Sequence, residues 1–174
     1  MKIQQLRERQ TRQIQGMGKW TPVTVYIPMS AEEAADVVQH GVDSSDDNKA
    51  KVVTPSYKHA STHGDVVIAI QTTGEHLEVD PSLDTPDNVR RAHKMFPESS
   101  DPLLSYAMMS DNPEIYYTGS THVDNIGELF ITGYDADGNK VQSGSERIPY
   151  PPNRFLRWFV SKIVIPAKRK KLQY

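Results

Sequence analysis

Apolar residues alternate with polar ones in several short runs along this chain, and Gly, Pro, Asp and Ser separate the runs. VTVYIP (23–28), KVVTPS (51–56), DVVIAIQT (65–72), HLEVD (76–80), EIYYTG (114–119), ELFITGYD (128–135) and KVQSG (140–144) have the length and the β-branched or aromatic content of strands. That is too many strands for a helical bundle. Between them the period lengthens, predicting a helix over 31–40, a short one over 57–62, and two more in PDNVRRAHKMF (86–96) and PLLSYAMMS (102–110). The first has marked ends: Ser30 and Glu33 are spaced as a capping box, and Gly41 permits a left-handed stop. Ala31, Ala34, Ala35 and Val38 then share an inward face, and residues so small predict close packing against a sheet. The fold class expected is α+β, with split mixed or antiparallel sheets, a few short helices and a basic helical arm at each end.

The arms rest on thinner patterns. Ile3, Leu6, Ile14 and Met17 fall near helical spacing within residues 1–19, a stripe too thin to hold a helix alone, so this segment is expected to dock on something. After PYPPN, Asn153 can cap a helix in which Phe155, Leu156, Phe159, Val160 and Ile163 form an apolar face that Trp158 widens. Pro166 ends it, and AKRKKLQY follows as a basic tail. Basic amphipathic helices lie on membranes or bind acidic partners, but so apolar a face is expected to pack on its own domain. The chain is thereby divided into an arm (1–19), a body (20–150) and a C-terminal helix with its tail (151–174).

Charge sharpens that division. The net charge of -2 conceals two basic ends. Residues 147–174 carry eight cations and no acid, and residues 1–19 carry Lys2, Arg7, Arg9, Arg12 and Lys19 against Glu8 alone. The acidic body repels nucleic acid while the arms attract it, or the arms reach acidic neighbours. With no cysteine there is no disulfide, thiolate metal site or cysteine nucleophile. The first residues hold no apolar signal core, and no run approaches a membrane span, so a cytoplasmic chain without a transmembrane segment is expected.

Short motifs exclude more than they propose. Asp135, Asp137, Gly138 and Asn139 resemble half of a calcium loop, but the bidentate glutamate is missing, and Asp137-Gly138 between two strands reads as a hairpin turn. His59 and His63 stand four apart without the glutamate of HExxH or a third ligand, so no metal site is assigned. GxGxxG, GxxxxGK and GxSxG are absent.

The order of elements is more suggestive. YIPMSAEEAADVVQHGV (26–42) resembles the opening of ADP-ribosyltransferase-like domains, where a strand ending in Tyr-His-Gly-Thr-Ser leads into a helix that stops at a glycine. VVTPSYKHASTHGDVVIAI looks like that family's second strand, short helix and following strand; HLEVDP suits the next, and PEIYYTG resembles the late strand that begins with the catalytic glutamate. Over residues 24–143 the resemblance implies NAD as cofactor, bound near Tyr26, Thr54, Ser56 and Tyr57, with Tyr57 stacking on the nicotinamide and Glu114 as the catalytic carboxylate. Cleaving the bond from ribose to nicotinamide develops positive charge on the ribose, which a carboxylate stabilises. The pattern departs at Ile27, where the family has a hydrogen-bonding His or Arg, and at Pro28 and Met29 after it. The same residues admit an architectural reading: Tyr26 and Tyr57 as sheet-edge packing, Thr54 and Ser56 as strand and cap residues, Glu114 as a solvated strand start.

Two functions are therefore expected. One is NAD-dependent mono-ADP-ribosyl transfer to a macromolecule. The other is a non-enzymatic assembly protein, such as a virion or large-complex component, that meets protein neighbours through residues 1–19 and 153–174, oligomerises, and touches nucleic acid non-specifically through its tail.

Overall fold

A computed structural model describes residues 11–44, 50–110, 115–122, 125–134, 140–149 and 153–166, with side chains up to 130 and from 153 onward. Within them the chain is mixed α and β, with antiparallel strand pairs and a few short helices. Two compact units emerge: Met1–Val25, Ser44–Pro55 and Gln71–Gly119 in the first, Tyr26–Asp43, Ser56–Ile70 and Ser120–Tyr174 in the second. Strands β1 (Pro22–Met29) and β4 (Val66–Thr73), described below with their sheet, are continuous across that division.

In the first unit, residues 11–15 form the described part of a helix, α1. Ile14 and Met17 behind it are buried, so this portion of the expected arm belongs to the unit's core. Its anchor is polar as well as apolar. The Met17 carbonyl accepts from Ser99 Oγ at 2.6 Å and from the amides of Ser100 and Asp101. Ser99 and Asp101 lie between α4 (Pro86–Met95) and α5 (Pro102–Met108), which Thr85 and Asp101 cap and which bury Ala92, Leu104 and Ala107. Alongside stands an antiparallel sheet of β3 (Lys51–Val53), β6 (Ile115–Tyr117) and β5 (Leu77–Val79), with Val53 and Val79 both opposite Ile115.

The larger sheet runs in the order β1, β4, β8 (Ile126–Tyr134) and β9 (Lys140–Pro149). Period-2 alternation in β1 buries Val23, Val25, Ile27 and Met29 on one face and leaves Thr24, Tyr26 and Pro28 half-buried on the other. β4 needs no alternation, because Val66 to Ile70 are all buried. β4 pairs with β8 antiparallel, and β8 with β9, whose length exceeds the KVQSG run expected for it. The Asp137-Gly138 turn lies outside the described residues, as does the half calcium loop it belongs to; Tyr134 and Lys140 pair on either side of it. A two-residue ladder, β2 (Val42–Asp43) with β7 (Ser120–Thr121), carries no hydrophobic period and was not predictable.

Helix α2 (Ala31–His40) follows its sequence signals. Ser30 Oγ accepts from the Glu33 amide at 3.1 Å, and Gly41 adopts φ 83° while its amide reaches the Val37 carbonyl. Its buried face is Ala31, Ala34, Val37 and Val38; Ala35 is half-buried and meets the C-terminal helix instead. That helix, α6 (Arg154–Phe159), is capped by Asn153 Oδ1 on the Leu156 amide and widens into a π-helical turn over Val160–Val164.

The packing of α6 corrects one expectation. Phe155, Leu156, Phe159 and Ile163 do not face the domain; Val160, Ser161 and Ile165 do. The reason is one hydroxyl. Ser161 Oγ donates to the Ala35 carbonyl at 2.7 Å and accepts from Gln39 Nε2 at 2.8 Å, which fixes the rotation of the helix against α2. No helix among the described residues is long and apolar enough to cross a membrane.

Candidate functional site

Two surfaces of the second unit concentrate groups that a scaffold alone does not require. One is an aromatic cluster. Tyr26 projects from the half-buried face of β1, and Tyr57 opens α3 (Tyr57–Ser61), where Ser56 Oγ caps the His59 amide at 3.3 Å. The Tyr26 and Tyr57 rings meet edge to face at 5.8 Å, and Phe130 of β8 lies 4.6 Å from Tyr57.

Burial shapes its electrostatics. Burial pushes the Tyr26 phenol above its ordinary pKa, and the charge of Glu128 and the neighbouring Tyr57 add to the shift. Tyr57 Oη is buried without a hydrogen-bond partner among the described residues. A buried hydroxyl so placed lacks the bond it would have had in water. His59 of α3 and His63 just past its end bring their rings within 4.5 Å, and His63 Nδ1 donates to the His59 carbonyl at 2.9 Å. Burial first, and His63 second, lowers the pKa of His59. No group of three or more His, Asp or Glu able to hold a metal occurs among the described residues. What remains is a set of flat rings suited to stacking.

The residues singled out in the sequence are only partly gathered. Tyr26, Ser56 and Tyr57 belong to the second unit, the tyrosines in ring contact and Ser56 engaged as a cap. Thr54 is buried in the first unit. Glu114 lies outside the described residues. Ile27, at the position where the resemblance calls for a polar group, is 1% exposed and points away from Tyr26, because neighbouring residues of a strand face opposite ways.

The second surface is the outward side of α6. Phe155 is 71% exposed and Trp158 46%, their rings stacked at 6.3 Å and 28°. Phe159 and Ile163 continue the line from Phe155 at four-residue intervals, and Leu156 flanks it. Arg154, Trp158 and Lys162 form the adjoining row at the same spacing. This is a convex apolar ridge with a cationic edge.

Compared with known proteins, the chain matches no family model, no curated protein and no solved structure. The functional reading therefore rests on its own residues.

Sequence reasoning missed Phe130 and Glu128. They stand two apart in ELFITGYD, a spacing that puts both on one face of a strand, but only the register, Phe130 opposite Val67 and Glu128 opposite Ala69, decides which face and beside which neighbours.

Proposed function

We propose that this chain is an interaction protein that joins a larger assembly, with α6 as its docking element. The observation that carries the reading is the exposed row of Phe155, Trp158, Phe159 and Ile163 on a helix that is already capped and fastened to its own unit. Contiguous apolar groups on a surface mark interaction sites, because leaving them in water forfeits the free energy that burial returns. A preformed helix also spares a partner the cost of ordering it. The test is a Phe155→Ser, Trp158→Ser double variant in the host that makes the protein. Wild-type chain is expected to sediment with a large particle and the variant to sediment as a monomer; identical profiles would rule the reading out.

A second reading, NAD-dependent ADP-ribosyl transfer, draws support from the contact between Tyr26 and Tyr57 and from the unpartnered Tyr57 hydroxyl. Tyr57 would hold the nicotinamide and Glu114 would stabilise the ribosyl cation. Calorimetric titration of NAD should then show saturable heat, with nicotinamide released by the parent and not by Glu114→Gln. Silence at millimolar NAD excludes it.

A further inference from the structure

Cationic and apolar groups share the free side of α6, and their arrangement selects among partners. Arg154 and Lys162 sit in the row beside Phe155, Phe159 and Ile163, and Lys168, Arg169, Lys170 and Lys171 follow in the sequence. From Arg147 onward the sequence holds no Asp or Glu. A second copy docked through this face would bring like charges together, so the chemistry asks for an anionic partner. Leu156 and Ile163 narrow the choice further. Aromatic rings alone would suit the bases of a nucleic acid, but branched aliphatic side chains gain little from stacking and much from leaving water for hydrocarbon.

We propose that the outward face of α6 seats in the headgroup region of an anionic lipid surface, Phe155, Trp158, Phe159 and Ile163 entering the acyl boundary and Arg154 and Lys162 remaining with the phosphates. The inference rests on the docking role of α6 and names the partner's chemistry. A Trp and two Phe beside cations are the composition of a helix lying in a membrane interface, where indole and phenyl rings bridge wet and dry layers. The helix lies flat rather than spanning, because its described length is far short of a bilayer. Ser161 ties its other side to α2 and Ile165 beyond it is buried, so the ridge is presented without rearrangement. The basic tail supplies the second attraction that a short apolar patch needs for stable attachment.

The test uses the full chain carrying Trp20→Phe, so that Trp158 is the one indole left. Its emission should shift to the blue with vesicles of mixed phosphatidylcholine and phosphatidylserine, and not with phosphatidylcholine alone. Flotation should show that Phe155→Ser lowers partition several-fold, and that Arg154→Gln with Lys162→Gln lowers it roughly 25-fold, from about 5-fold per cation. Arg154, Phe155 and Lys162 are all exposed, and circular dichroism checks that each variant keeps the fold. Equal binding to both kinds of vesicle, or none to either, overturns the inference. Binding of single-stranded RNA in place of vesicles, lost in Phe155→Ser, also overturns it. The docking role is tested separately: it fails if the wild-type and Phe155→Ser, Trp158→Ser chains give the same sedimentation profile.

Discussion

Tyr26 and Ile27 are adjacent, yet one sits in a half-buried aromatic cluster and the other in the core. The raised pKa of Tyr26 sets a pH dependence whose sign is fixed. Above its ordinary value of 10.0, the unfolded chain releases the phenolic proton while the folded chain keeps it. The folded state then binds more protons, and stability falls as pH rises through that window; below it Tyr26 adds no pH dependence. Tyr26→Phe should flatten the fall, read from urea midpoints between about pH 9 and about pH 11. His59 acts with the opposite slope. Its lowered pKa means that below 6.5 the unfolded chain takes up a proton the folded one resists, so stability declines as pH drops through that value. His59→Gln should reduce that decline in the same measurement made under mildly acidic conditions.

At the level of elements, caps and contacts divide the labour. Ser30, Ser56, Thr85, Asp101 and Asn153 each satisfy an amide in the first turn of a helix, and of these Ser30, Ser56 and Asn153 were legible as caps in the sequence. Which way a helix faces is settled elsewhere. Ser161 is buried in the middle of an apolar run and joins α6 to Gln39 and Ala35 of α2. Ser161→Ala leaves the Gln39 amide and the Ala35 carbonyl without that partner, so a loss of about 1–2 kcal/mol is expected in denaturant unfolding. Faster hydrogen exchange should accompany it in α6 and not in α4. Uniform exchange, with stability unchanged, would show that the hydroxyl does not fix the helix.

For the whole molecule, the division into two units does not follow the chain. Each unit takes three separate stretches, and β1 and β4 cross from one to the other without interruption. A strand cannot melt over half its length without exposing the remainder of its ladder, so the units are expected to unfold together. Trp20 reports from the first and Trp158 from the second. In urea, single-tryptophan variants retaining one or the other should give coincident midpoints; separated midpoints would mean two independently stable bodies. The pattern of charge belongs to this scale too, with almost every acid in the body and the cations gathered at the ends. Its consequence is a docking end that favours anionic partners.

By itself the sequence determined the elements. Strand runs, capping residues and the stop at Gly41 act over a few residues, where backbone sterics and local hydrogen bonds decide, and the seven expected strands and five expected helices of the body and C-terminal end all have counterparts. Tertiary structure decided what those elements present. The register of β8 brought Phe130 to Tyr57 and the charge of Glu128 to Tyr26, and one serine hydroxyl turned the aromatic side of α6 toward solvent. Such outcomes depend on which distant residue lies opposite, and hydrophobic period carries no information about that. Amphipathicity says that a helix has two faces; only the packed chain shows which of them is left free.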